Sequence, residues 1–172
     1  KDKNNRNEYL WNMAVGFCNA CKMVQLTEFV PYDKYILPKS EGKTEYAFHS
    51  SLSKAMTRHF SRFAKEIQSR FLQDNKRIVE IGGNDGIMLQ AFDGNCFPLN
   101  IEPASNVAEE SRRKGIETIE DFFTPDLAKK IVKDNGKFGA ITSSNVILNI
   151  HDLNGVVEGI DTMLDKKGVF VM

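Results

Sequence analysis

The spacing of hydrophobic positions changes several times along the chain, and each change marks an element. Between Lys54 and Leu72, the residues Met56, Phe60, Phe63, Ala64, Ile67 and Phe71 recur every three or four positions. That spacing predicts an amphipathic helix packed on one side, with Ser53 placed to cap it. The next apolar group, Ile78, Val79 and Ile81, is short and β-branched, which suits a buried parallel strand. It breaks through Gly82, Gly83 and Gly86, and helical spacing resumes from Met88 to Phe92. Further strands are predicted over 96–102, 116–119, 138–147 and from 168 onward, with helices over 104–114, 126–134 and 155–164 between them. Arg112, Arg113 and Lys114 put cations at the negative end of the 104–114 helix, Gly115 stops it, and Pro125 suits the first turn of the next. Strand alternating with helix predicts an α/β fold with a mainly parallel sheet.

Before this pattern the chain reads differently. Residues 1 to 8 are polar and read as frayed. Residues 27 to 45 carry Pro31, Pro38, Gly42 and clusters of charge, which predicts an irregular linker. The division is therefore a small module with linker over 1–45 and an α/β domain over 46–172. The 172 residues, 41% hydrophobic and 27% charged, suit one domain plus a small module. Net charge is zero, so no global field attracts nucleic acid or an anionic membrane surface. No apolar run approaches the roughly 20 residues that span a bilayer. There is no basic-then-apolar leader, and three cysteines make no disulfide framework; a cytoplasmic protein is expected. The row opens on Lys1 and stops in a predicted strand, so a longer polypeptide is expected too.

Chemistry concentrates where the first strand breaks. Glycines between a strand and a helix bring a ligand close to main-chain amides and a positive helix end. The dinucleotide fingerprint needs glycines at 82, 84 and 87, whereas Asn84 and Ile87 stand at the latter two. What remains is an acid, Glu80, followed by Gly82 and Gly86. An ordinary glycine-rich turn of another doubly wound domain is the competing reading. Glu102 ends the second strand 22 positions after Glu80, where nucleoside-binding α/β folds meet ribose hydroxyls. Its carboxylate can accept two hydroxyl hydrogens at once. Upstream, Cys18 and Cys21 are spaced to share a tetrahedral zinc ion, but a structural site wants four ligands. A redox pair and two incidental cysteines are the other readings.

The run Glu80-Ile-Gly-Gly-Asn-Asp-Gly86 resembles the first motif of S-adenosylmethionine-dependent methyltransferases of the class I, Rossmann-like fold. Its Asn84-Asp85-Gly86 ending looks like a narrower group, the sugar C-methyltransferases acting on nucleotide-linked 4-keto-deoxysugars. Pro103-Ala-Ser-Asn-Val-Ala108, Met56-Thr-Arg-His-Phe60 and Cys18-x-x-Cys21 followed by Val24-Gln-Leu26 fit the same group. The resemblance implies a cofactor site from Glu80, Gly82, Asn84, Asp85, Gly86, Glu102 and Pro103. It adds Asp121 and Phe122 against the adenine, with capping and core roles as the alternative, and Asn145 near the methionine part of the cofactor or the substrate. It implies Zn²⁺ in the complete protein, held by Cys18, Cys21 and an upstream pair. It also implies methylation of a sugar ring carbon through an enolate, with Tyr46 at the sugar; packing of the linker is the other reading of Tyr46. Phe48 stands at a second position that is often tyrosine, and His49 and His59 read as packing or solvent-facing.

At the end of the fourth strand the chain departs from that pattern. Asn149 stands where relatives carry a histidine, and His151 replaces a proline. Asparagine hydrogen-bonds but does not titrate near neutral pH, so a base role does not pass to Asn149, and His151 is the candidate in its place. The segment that implies the base elsewhere in the family is absent, so the isolated chain is expected to be inactive. Two other functions stay open: a class I O- or N-methyltransferase on another small molecule, and a non-catalytic binding or interaction protein.

Overall fold

The computed structural model describes residues 10–38 and 42–172; the polar stretch 1 to 8 lies outside them. The chain opens with a hairpin, β1 (Val15–Phe17) paired antiparallel to β2 (Val24–Leu26). The 27–45 stretch has more order than a linker reading implies. It holds a 3-10 turn at Tyr32–Lys34 and a small antiparallel pair, β3 (Leu37–Pro38) with β4 (Thr44–Glu45).

Then comes α1 (Lys54–Phe71), capped by Ser53, whose side chain accepts the N–H of Met56. Five parallel strands follow: β5 (Arg77–Ile81), β6 (Phe97–Ile101), β7 (Glu117–Ile119), β8 (Phe138–Thr142) and β9 (Leu164–Val171). Helices α2 (Ser105–Arg113), α3 (Pro125–Asn135) and α4 (Leu153–Met163) connect them. The order across the sheet is β7-β6-β5-β8-β9, with β7 and β9 as its edges.

Two expectations are corrected. Met88 to Phe92 does not form a helix; only a 3-10 turn at Leu89–Ala91 is present before Asp93 and Gly94 turn the chain into β6. The fourth strand ends at Thr142 rather than near 147, because Ser143, Ser144 and Asn145 leave the ladder and Asn145 takes a left-handed φ of 59°.

Strand alternation in β5 sets up two cores. Val79 and Ile81 face a layer built with Ile131, Val156, Ile160 and Met163 of α3 and α4. Ile78 faces the opposite layer, with Phe60, Ala64 and Ile67 of α1 and with Leu89 and Phe92. Both faces of the central strands are therefore covered, as a parallel sheet requires. Strand order reverses between β5 and β8, so their carboxyl ends flank a crevice where such folds bind ligands. No helix among the described residues is long and apolar enough to cross a membrane.

Candidate functional site

The loop leaving β5 is shaped by two left-handed glycines and held by side chains of the next strand. Gly82 and Gly86 both have φ of +71°. A Cβ on Gly82 would come within 2.5 Å of the Val146 side chain, so the position is closed to other residues by backbone and by space. The N–H of Gly82 bonds the Ile101 carbonyl at 2.8 Å, extending the ladder past the strand. Asn100, fully buried, accepts from the N–H of Gly83 at 3.1 Å and donates to the Asn84 carbonyl at 3.0 Å and to Ser111 at 3.1 Å. The Glu102 carboxylate then fixes the bend. One oxygen accepts the N–H of Asn84 and the other that of Ala104, both at 2.9 Å.

Around this bend lies a cleft of about 190 Å³. Gly82, Asn84, Glu102 and Pro103 form its floor, with Asn145, Val146 and Asn149 from the segment after β8. Tyr32, Tyr35, Tyr46, Phe48 and Phe122 add aromatic rings to the lining. Tyr35 is half-buried, and burial, then Tyr32 and Tyr46, push its hydroxyl up to about 12. It therefore stays protonated at neutral pH and can donate. Among the lining side chains Glu102 is the one carboxyl, and burial raises it above the ordinary range against the pull of its two N–H donors.

Glu80 sits beneath the loop, 3% exposed, with one carboxylate oxygen lacking a partner among the described residues. Burial first, then the charges of Glu102 and Asp85, push it up to about 8. Asp85 is also buried and does not line the cleft. Burial pushes its carboxyl up, but hydrogen bonds from Ser51 and the ammonium of Lys114 at 3.2 Å outweigh that and hold it low. Gly86 faces α2, where a Cβ would meet Ser111.

Sequence-predicted site residues thus divide. Gly82, Asn84, Glu102, Pro103, Phe122, Asn145, Asn149 and Tyr46 meet at the cleft. Asp121 turns back and accepts the N–H of Phe122 at 2.8 Å, so it caps its own loop. His151 is placed away from the lining: its ring is stacked between Phe29, at 4.4 Å, and Tyr32, at 4.3 Å. Its main-chain N–H donates to the Tyr32 hydroxyl and its ring Nε2 lies 3.2 Å from the Val30 carbonyl. The histidine fastens the linker to the domain. Asn100, Tyr32 and Tyr35 went unread in the sequence. A polar residue inside the apolar strand 97–101 was the available signal for Asn100, and the i, i+3 aromatic pair was the signal for the tyrosines.

Cys18 and Cys21 flank the turn of the β1–β2 hairpin. The N–H of Cys21 points at Cys18 Sγ at 3.5 Å, the N–H of Cys18 bonds the Met23 carbonyl, and Lys22 takes a left-handed φ of 64°. Hydrogen bonds from Cys21, then from Ala20, lower the Cys18 thiol. No third ligand-type side chain joins the pair among the described residues.

A family model described as a methyltransferase domain matches residues 48–172. The C-methyltransferase NovU of Streptomyces niveus is 24% identical over 165 residues, which is 95% of this chain and 38% of NovU. The chain therefore spans well under half the length of that relative. The plantazolicin methyltransferase BamL, solved with SAH, superposes with a TM-score of 0.54 at 13% identity, covering 68% of this chain and 46% of BamL. YjhP of E. coli gives 0.52 at 15% identity over 73% of this chain and 51% of its own. At these identities the structures share the fold.

Proposed function

The chain belongs to the methyltransferase-domain family, and on that premise we propose that its cleft binds S-adenosylmethionine and that the complete protein methylates a ring carbon of a nucleotide-linked 4-keto-deoxysugar. The observation that carries the cofactor half is the cleft wall: a glycine bend, one carboxylate and a bank of aromatic rings, with no cationic side chain among the lining residues. Such a wall suits a nucleoside bearing a positive charge. The partnerless oxygen of buried Glu80 beneath it adds a second polar group awaiting a partner.

When bound, the cofactor supplies a methyl group on sulfonium sulfur and its own thioether leaving group. This chain's residues do the rest. Glu102, held by two N–H groups, keeps acceptor capacity for ribose hydroxyls. Phe122 and Pro103 cover the base, and Asn145 and Asn149 offer carboxamides beside the reacting end. Tyr46 and Tyr35 present hydroxyl donors suited to a ketone oxygen that gains charge as its neighbouring carbon loses a proton. Among the described residues no histidine or lysine side chain lines the cleft, which supports a base contributed by the rest of the complete protein and an inactive isolated chain. The carbon-methylating, sugar-directed part is supported by the resemblance of the 80–86 and 102–108 segments and by the similarity to NovU.

Cys18 and Cys21 serve, on this reading, as half of a structural zinc site in the complete protein, with the module over 1–45 and the cofactor domain over 46–172. The hairpin supports this, since its N–H to sulfur contact already orients a thiolate. Calorimetry with S-adenosylmethionine should show binding to this chain at one site; no binding would overturn the cofactor assignment. Mass spectrometry of products made by the complete protein from nucleotide 4-keto-deoxysugars should place the new methyl on carbon. A methyl on oxygen or nitrogen would overturn the sugar-carbon half alone.

A further inference from the structure

The segment 46–51 carries Tyr46 and Phe48 to the cleft but belongs to no sheet. The β3–β4 pairing stops at Glu45, so the main chain beyond it needs other partners for its N–H and carbonyl groups. Two asparagine side chains supply them. Asn84 accepts the N–H of Ser50 and donates to the Phe48 carbonyl, each at 2.9 Å. Asn106, on α2, accepts the N–H of Tyr46 and donates to the Tyr46 carbonyl, again each at 2.9 Å. In both cases a carboxamide copies a peptide group and stands in for a missing neighbouring strand. From this arrangement we infer that Asn84 and Asn106 are positioning residues that dock the Tyr46 segment onto the cofactor loop.

Three further contacts run the same way. Thr44 bonds Ser105 and the Pro103 carbonyl, His49 pairs with Glu110 at 3.1 Å, and the N–H of Ser51 bonds Asp85 at 2.9 Å. His49, Asp85 and Glu110 lie close enough together to suggest a cation site. Lys114 already neutralises Asp85 and His49 already occupies Glu110, so the cluster is part of the same attachment.

The docking gives Asn84 a physical reason. Its φ of 52° is one that glycine adopts at less cost, so the backbone alone would favour glycine there. The side chain is what glycine cannot provide. Asn84 also touches the other half of the site, because its own N–H is held by Glu102. One residue thereby ties the carboxylate proposed for the ribose to the segment proposed to face the substrate, and this linkage rests on the cofactor reading of the cleft. The attachment itself does not.

The test is hydrogen–deuterium exchange on this chain, as wild type, Asn84→Gly and Asn106→Ala, with and without S-adenosylhomocysteine. Without ligand, exchange should rise on the order of tenfold or more over 46–51 in each variant, while β5 and β8 keep wild-type protection. With ligand, wild type should gain protection over 48–51, and Asn84→Gly should lose that gain although glycine keeps the loop conformation. Wild-type exchange over 46–51 in both variants would overturn the inference, as would a rise spread evenly over the domain. If wild type fails to bind S-adenosylhomocysteine, the cofactor reading and the linkage fall, and the ligand-free exchange still decides the docking.

Discussion

Glu80→Gln isolates the energetic cost of placing a carboxyl under the cofactor loop. The side chain is 3% exposed and titrates near 8 rather than its ordinary 4.5. Between those two pH values the unfolded chain is ionised at this position while the folded chain holds the proton, so rising pH favours unfolding. The stabilisation is fully present below 4.5 and is lost as pH climbs through 8. The difference of about 3.5 between the two values corresponds to about 5 kcal/mol in all, at about 1.4 kcal/mol per pH unit. Roughly 3 kcal/mol of it is already lost at pH 7. Glutamine cannot titrate, so the stability of Glu80→Gln minus that of wild type should climb with that slope from pH 4.5 to 8 and level off above. Any constant cost of burying the amide drops out of the slope, and titrating groups that do not touch Glu80 cancel between the two proteins. Urea unfolding of both at half-unit pH intervals measures it. A stability difference that stays flat across this range would show that Glu80 is ionised in the folded protein and would refute the reasoning.

Gly82→Ala forces a left-handed alanine, costing about 1–2 kcal/mol, and drives its Cβ to 2.5 Å from Val146; urea unfolding should show that loss or more, and calorimetry should show S-adenosylhomocysteine binding abolished. His151→Ala removes a ring stacked on both Phe29 and Tyr32, each pair contributing about 1 kcal/mol. Trypsin should then cut at Lys34 faster, whereas turnover by the complete protein should fall far less than loss of a base would cause. Thr124→Ala deletes the cap on the Leu127 N–H and should lower stability by about 1 kcal/mol, read as a shift in thermal midpoint with ligand affinity unchanged.

Periodicity made the large elements readable. The stripe from Met56 to Phe71 gave α1 its buried face, and the β-branched Ile78, Val79 and Ile81 announced a strand covered on both sides. Glu102 could be placed beside the glycine bend because the fold converts its chain distance from that bend into spatial proximity. Residues acting through partners distant in sequence were not readable in this way. Asn106 meets Tyr46 across 60 positions and Asn84 meets Ser50 across 34, and neither has a periodic or compositional mark. A histidine beside a polar strand end looks like chemistry, and the packing of His151 between Phe29 and Tyr32 carries no mark in the sequence. Met88 to Phe92 has apolar spacing, but Asp93 and Gly94 allow only one turn.

Strand β9 lies at one margin of the sheet, paired on a single side to β8. Asp165, Lys166 and Lys167 put charge near the start of the strand, whereas Val169, Phe170 and Val171 pack onto the two cores and carry none. A row of open peptide groups beside apolar residues invites a second molecule to add its own strand. Concentrated solutions of this chain should therefore form dimers and larger species through that rim, with light scattering rising as concentration does.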